Sequence, residues 1–348
     1  MHKPILYGPV FFVIALVFFT GQGLMAQKTD TIIHINGNIM TGELKKMIYG
    51  VITWKTDGMG TLSIEEVKIN TIKSNKMFEV KMKNGFVYFG SFDTSHIPRS
   101  VYVVFTNGRQ LVKLKDIVEI YPIKKNFWMR SSGSLSLGAN YSKGSKVGTI
   151  SFSGNLSYRK KKTLYTLTWD DNNTFQGDTL SSSKSDGAFS WQRWIKGKWY
   201  FQLSVSASQN TELGTKLRIG FTPVALYDIV YNNWNRFYVG TGMMMARETP
   251  YDDSGITNDL AGFVGVAWRV YRYRKPKVWV DADFGFIPYF TDWGRNRMVF
   301  DLNPKVSIFN NDFKIGFKFY YNYDSKPSSI DYAKNDYGIT IELTYSFH

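Results

Sequence analysis

From residue 127 onward, apolar and polar residues alternate with a period of two, in runs broken by polar turns. In the last run Tyr337, Ile339, Ile341, Leu343, Tyr345 and Phe347 fall on one face. Gly338, Thr340, Glu342, Thr344 and Ser346 fall on the other. Ile150, Phe152, Leu156 and Tyr158 likewise oppose Ser151, Ser153, Asn155 and Ser157. Val278, Val280, Ala282, Phe284 and Phe286 oppose Trp279, Asp281, Asp283 and Gly285, and Phe313, Ile315, Phe317, Phe319 and Tyr321 oppose Lys314, Gly316, Lys318, Tyr320 and Asn322. A strand with lipid on one side and a polar interior on the other reads this way.

The pattern predicts twelve strands, near 132–142, 148–159, 163–173, 185–195, 198–209, 215–228, 235–246, 258–272, 277–290, 296–309, 312–323 and 335–347. Each is long enough to cross an outer membrane when tilted. In the eighth, Ala261-Gly-Phe-Val-Gly-Val-Ala-Trp268 alternates poorly and its faces stay unassigned. Even strands are followed by short turns (Lys160-Lys161-Lys162, Lys196-Gly197, Asn232-Asn233-Trp234, Arg274-Lys275-Pro276 and Asn310-Asn311). Most odd strands are followed by longer polar loops, at 174–184, 247–257 and 324–334. Long loops outside and short turns inside are the outer-membrane arrangement, and an even strand number places the N-terminal region on the periplasmic side. The fold class expected is all-β: an antiparallel transmembrane β-barrel preceded by a smaller β domain.

That preceding region contains a repeat. Thr31-Ile-Ile-His-Ile-Asn-Gly-Asn-Ile-Met-Thr-Gly-Glu-Leu44 matches Phe78-Glu-Val-Lys-Met-Lys-Asn-Gly-Phe-Val-Tyr-Phe-Gly-Ser91, with Asn36-Gly37 and Asn84-Gly85 48 positions apart, as are Gly42 and Gly90. Asn-Gly between alternating apolar residues signals a type I′ hairpin. Each copy continues through short strands (Val51–Trp54; Val101–Phe105) to a similar ending (Ile64–Ile72; Leu114–Ile123). Two units of roughly 45 residues resemble SH3-like or Sm-like small barrels in tandem, a likeness that carries no function. Lys45, Lys46, Lys81, Lys83, Lys113 and Lys115 lie near Tyr49, Trp54, Phe86, Tyr88 and Tyr102, a combination that could hold a nucleic-acid strand. An exported compartment lacks that ligand and the aromatics occupy core-like positions, so no nucleic acid is expected. A docking or plug-like module at the periplasmic mouth is the leading reading, with a purely structural domain beside it.

Export is read from His2 and Lys3, the apolar run Val10–Phe19, and Leu24-Met-Ala26 as a cleavage site. The run falls short of the roughly 20 residues an anchor helix needs. The chain therefore divides into a signal peptide (1–26), a periplasmic domain (27–125) and a barrel (126–348), with Phe127 and Trp128 placed for the bilayer interface. A mean hydropathy of -0.24 with 17% aromatic residues excludes a helical membrane protein but suits a barrel, which hides its apolar residues at alternate positions. The absence of Cys excludes disulfides and thiolate metal sites. A net charge of +15 points to outer-membrane lipid, lipopolysaccharide and other acidic envelope material as partners.

The final strand, with Tyr345 and Phe347 on its apolar face and His348 after it, resembles the C-terminal signal by which barrel-insertion machinery recognises outer-membrane barrels. The Asn-Gly unit that opens at Thr31, followed by a barrel ending on an aromatic strand, resembles the domain of unknown function 481 family, which includes salt-induced outer-membrane proteins. The resemblance implies place and fold and no activity.

Chemistry is sparse. The four His are His2, His34, His96 and His348, so the barrel from Phe127 to Phe347 has none, which removes the commonest hydrolytic mechanisms. The lumen-facing charges are Asp170, Arg218, Asp281, Asp283, Asp301, Lys305, Lys314, Lys318 and Glu342. Asp281 and Asp283 share a face and could ligate a hard cation. With Lys305, Lys314 and Lys318 on the next two strands, an ion-pair ladder filling the interior is the better reading. Met243-Met-Met245 places two of three sulfurs toward lipid, and no cofactor or metal is expected. The basic turns Arg159–Lys162 and Arg272–Lys277 suit lipid phosphates or plain solvation. The function expected is non-enzymatic: an envelope anchor or receptor, or a narrow solute channel, with an unidentified periplasmic protein or envelope polymer as partner. The rival is an outer-membrane hydrolase or lipid-modifying enzyme using lumen carboxylates, which loss of such an activity in Asp281→Asn with Asp283→Asn would support.

Overall fold

The computed structural model describes residues 30–56, 58–123, 127, 130–144, 146–177, 179–251, 255–273, 276–308, 312–327 and 333–347. The expected signal peptide, Trp128, Arg274, Lys275, Asn310, Asn311 and His348 lie outside them.

The N-terminal strands are β1 (Asp30–His34), β2 (Ile39–Ile48), β3 (Val51–Lys55), β4 (Thr61–Glu65), β5 (Ile69–Met82), β6 (Val87–Thr94), β7 (Ser100–Phe105), β8 (Gly108–Lys113) and β9 (Ile117–Pro122). Single 3-10 turns at Glu66–Lys68 and Leu114–Asp116 precede β5 and β9. The tandem joins in one small barrel. β1 pairs with β2 and β5, and β9 pairs with the same two strands, so four strands drawn from both copies close a ring. β5 serves twice: its first half ends copy one against β1, and its second half opens copy two against β6.

The 48-residue spacing continues into the core. Ile32 and Val80, Leu44 and Phe92, Ile69 and Ile117, and Ile72 and Ile120 are equivalent pairs, all buried. The repeated glycines are spacers. A Cβ at Gly42 would strike the Trp54 ring, and one at Gly90 would meet Val103 and the Val104 carbonyl. Each copy thus brings its second and third strands too close together for a side chain at that point.

All twelve predicted barrel strands form: β10 (Ser131–Ser142), β11 (Val147–Lys160), β12 (Thr163–Gln176), β13 (Thr179–Lys196), β14 (Trp199–Asn210), β15 (Thr215–Tyr231), β16 (Asn235–Pro250), β17 (Thr257–Arg272), β18 (Val278–Pro288), β19 (Asn296–Ser307), β20 (Phe313–Asp324) and β21 (Asn335–Phe347). They close antiparallel in chain order, β10 pairing with β21 from Gly133 opposite Phe347 to Gly138 opposite Glu342. Closure leaves no unpaired edge, which a structure surrounded by lipid requires. The outward face carries Ile150, Phe152, Leu217, Val264, Phe317 and Ile341, all exposed, while the alternate positions Ser151, Thr340, Glu342 and Thr344 are buried. A continuous apolar exterior around a polar interior makes this a transmembrane barrel.

Two details differ from the sequence reading. The expected loop 174–184 is mostly strand: β12 and β13 stay paired up to Gln176 and Thr179, with a bulge at Thr174. Its Ser and Thr residues are polar on both faces, which reads as loop, yet the backbone ladder continues without an apolar face. The unassigned strand, β17, turns Asp259, Ala261, Ala267 and Tyr271 inward, all buried, and Val264 and Trp268 outward. It alternates poorly because several inward positions are small and apolar. A Cβ at Gly265 would meet the Phe263 ring, which occupies that part of the lumen.

Candidate functional site

The small barrel sits on the end of the large one that carries the short turns. The contact is built by two turns and a buried charge cluster. The first turn, Tyr49-Gly50, has both residues at positive φ and lays the Tyr49 ring on Tyr271 at 3.4 Å between centroids. Burial there pushes the Tyr49 hydroxyl up to about 12. The second is the Asn84-Gly85 hairpin, whose Gly85 lies so close to Gly197 that a Cβ would run into the Gly197 carbonyl. Its repeat equivalent Gly37 has nearly the same φ, +85 against +87, but open space around it.

This pair makes a controlled experiment. Gly37→Ala and Gly85→Ala should each cost about 1 kcal/mol for a left-handed backbone. Only Gly85→Ala should also loosen the docked domain, read as amide exchange at least about tenfold faster over residues 79–82. Equal exchange in the two variants would mean that the hairpin tip does not hold the domain.

Between the turns, Glu79, Lys81 and Glu119 of the small barrel meet Arg159, Tyr200, Asp228, Tyr231 and Arg236 of the large one. Arg159 Nη2 donates to Glu79 at 2.9 Å and to Glu119 at 3.1 Å, and its guanidinium lies 3.9 Å from the Tyr121 ring centroid. Tyr231 donates its hydroxyl proton to Glu119. Lys81 donates to the Tyr200 hydroxyl, lies 3.6 Å from Asp228, and covers the Tyr231 ring at 4.0 Å. Arg236 Nε donates to Asp228 at 2.8 Å. Burial lowers the Lys81 amine to about 8, Glu119 and Asp228 offsetting part of that. Burial alone would raise Glu119, but Arg159 and Lys81 outweigh it and hold the carboxyl down at about 2. Arg159 therefore does not face lipid phosphates or solvent, as its turn suggested. It is the clamp between the two barrels.

Inside the large barrel the predicted charges lie in tiers. Asp281 and Asp283 do face inward, but Arg269 of β17 takes both, at 3.2 and 2.6 Å, instead of the lysines of β19 and β20. The partner was missed because β17 could not be oriented. Asp301 stands opposite Asp283 in the register of β18 and β19. Lys305 reaches Thr344 at 2.9 Å and Glu342 at 3.7 Å. Lys314 donates to Ser346 at 2.9 Å and lies over Trp279. Met244 is buried inward while Met243 and Met245 face out, as alternation required.

Other contacts cross the lumen. Lys318 of β20 pairs with Asp170 of β12, four places away round the ring of twelve. Lys184 of β13 covers the Tyr320 ring of β20 at 4.2 Å, and Asn210 of β14 donates to Asp336 of β21 at 2.8 Å, each spanning five places where six would be diametrically opposite. At the end away from the small barrel, Glu248 accepts from Arg218 at 2.7 Å, Thr215 at 2.8 Å and Arg295 at 3.2 Å, and Arg295 reaches on to Asp324 at 2.6 Å. Among the described residues no group of His, Asp and Glu is placed to hold a metal ion.

The family model described as Protein of unknown function, DUF481, matches residues 135–347. The chain belongs to this family. The matched stretch of this DUF481 protein begins within β10 and runs to the end of β21, leaving the small barrel outside it. Among solved structures, the NanC porin is similar with a TM-score of 0.38 and 11% identity over 62% of this chain and 99% of that one. The β domain of the Bordetella autotransporter BrkA has a TM-score of 0.33 and 8% identity, covering 62% and 97%. The translocator domain of the autotransporter NalP from Neisseria meningitidis has a TM-score of 0.32 and 11% identity, covering 63% and 87%. No curated protein matches the chain.

Proposed function

We propose that this DUF481 protein is a non-enzymatic outer-membrane barrel, closed by its own side chains, that anchors the small barrel across its periplasmic mouth. The observation that carries this is the set of contacts joining strands four and five places apart round the ring. A wide pore separates such strands with water, whereas a barrel of intermediate size can fill its interior with side chains. Four of the five predicted lumen carboxylates lie in ion pairs, Asp281 and Asp283 with Arg269, Asp170 with Lys318, and Glu342 with Lys305, which tells against the hydrolase. The short-turn end is the periplasmic end by the usual loop asymmetry, and the small barrel is seated there. Envelope lipid covers the apolar belt, and a periplasmic protein or envelope polymer engages the anchored domain.

Planar-bilayer recording tests the reading. The full chain should give no resolved conductance steps, and neither should a chain lacking residues 30–123. Steps in both would overturn the closed barrel in favour of a channel. Steps only in the shortened chain would make the small barrel, not the lumen, the plug.

A further inference from the structure

Between the small barrel and the mouth beneath it lies a cavity of about 1440 Å³. This exceeds the few hundred to about 1,000 Å³ typical of sites for one small molecule. Eleven Lys and Arg side chains line it against three carboxylates, those of Glu79, Glu119 and Asp312. Counting also Asp228, which ties down Lys81 and Arg236 from below, and Glu43, which pairs with Lys45, six cations remain in excess. They come from opposite walls: Lys46 and Lys55 from β2 and β3, and Lys160 and Lys162 from the first short turn of the large barrel. Lys55, Lys160 and Lys161 are exposed, so the cavity is reached from solvent.

A concave, strongly cationic space concentrates anions, and a single phosphate carries a charge of only about −1.5 to −2 at neutral pH. We infer that this vestibule is a binding site for a ligand bearing two or more phosphate groups, held between Lys46 and Lys55 on one wall and Lys160 and Lys162 on the other. The lysines are point charges on flexible stems that adapt to the ligand's shape. The phosphates can arrive on a free anion or on a lipid headgroup, since both present the same chemistry. The site exists only with the small barrel seated, and so rests on the docking described above.

The test uses the full chain in detergent, titrated calorimetrically with inorganic tripolyphosphate, and separately with phosphatidylcholine vesicles with or without diphosphoryl lipid A. Lys55→Glu with Lys160→Glu should weaken binding at least tenfold. Lys73→Glu with Lys113→Glu, the same charge change outside the cavity, should leave it as in the native chain. Binding of tripolyphosphate that follows this pattern supports a free-anion site. Binding confined to lipid A vesicles with the same dependence assigns the phosphates to a headgroup. No binding of either probe, or equal loss in both double variants, overturns the inference. Amide exchange over residues 79–82 is followed in every sample. A seated domain that binds nothing tells against the site alone, whereas an unseated domain in the native chain tells against the docking. If the reversal itself unseats the domain, Lys55→Gln with Lys160→Gln replaces it, with a smaller loss expected in the same direction.

Discussion

Glu119→Ala should unseat the small barrel while leaving both barrels folded. Glu119 is the anion that Arg159 and Lys81 share and the acceptor of the Tyr231 hydroxyl, and it is 8% exposed. Removing one member of a buried charge cluster strands the others without a counter-charge, a loss of about 3–5 kcal/mol. The loss falls on the interface because each barrel has its own closure, the small one around its shared core and the large one through the pairing of β10 with β21. Amide exchange should rise over residues 79–82 and 117–120 and in the Arg159–Lys162 turn, but not at Ile32, Leu44 or Ile72. Glu119→Gln keeps the shape and an acceptor for Tyr231 and should lie between Ala and the native chain. Native-like exchange in the Ala variant would show that the two turns alone hold the domain.

The same cluster sets a pH dependence. Glu119 titrates lower in the folded chain than its ordinary 4.5, so between about 2 and 4.5 the unfolded state binds the extra proton and stability falls as the medium is acidified. The shift to about 2 amounts to roughly 3 kcal/mol, fully present above pH 4.5. Lys81 also titrates low, at about 8 against 10.5. Between those values the unfolded state again holds the extra proton, so docking strengthens as pH rises through that window. A domain that is tightest under mild acid would contradict both signs.

Little of this interface is visible in any one stretch of sequence, although the barrel around it is. Strands β10 to β21 could be counted because each declares itself locally, by alternation over its own length. Lys81 and Tyr200 are 119 residues apart, and Tyr231 and Glu119 are 112 apart. Each looks like an ordinary member of its own strand. The repeat does carry a signal of the interface. At a spacing of 48, the copy-one equivalents of Glu79, Lys81 and Glu119 are Thr31, Ile33 and Thr71. Copy two has become charged on a face where copy one is neutral, and that face meets the large barrel. The lumen was legible in kind, since the inward charges were identified. Its pairing was not, because partners were assumed to lie on neighbouring strands, and Lys318 with Asp170 reaches across.

The second large effect is expected at the opposite mouth. Glu248 is 3% exposed and lies among Arg218, Arg295 and Arg297, the last at 3.9 Å. Glu248→Ala leaves Arg295 and Arg297 with Asp324 but leaves Arg218 with no carboxylate in ion-pair reach among the described residues. Three like charges then share one fewer anion in a space sheltered from water, and a loss of about 3–5 kcal/mol is expected. It should appear as a lower temperature for loss of the folded barrel on a heat-modifiability gel, with Glu248→Gln intermediate. By contrast Lys326→Ala breaks an exposed pair with Asp292 and should cost under about 1 kcal/mol. Conductance separates a weakened mouth from an opened lumen. Glu248→Ala alone should remain silent, because Lys318 and Asp170 still cross the interior one tier deeper. Combined with Lys318→Ala it should give steps, and silence there too would mean that packing by Phe263 and its neighbours, rather than the ion pairs, keeps the barrel shut.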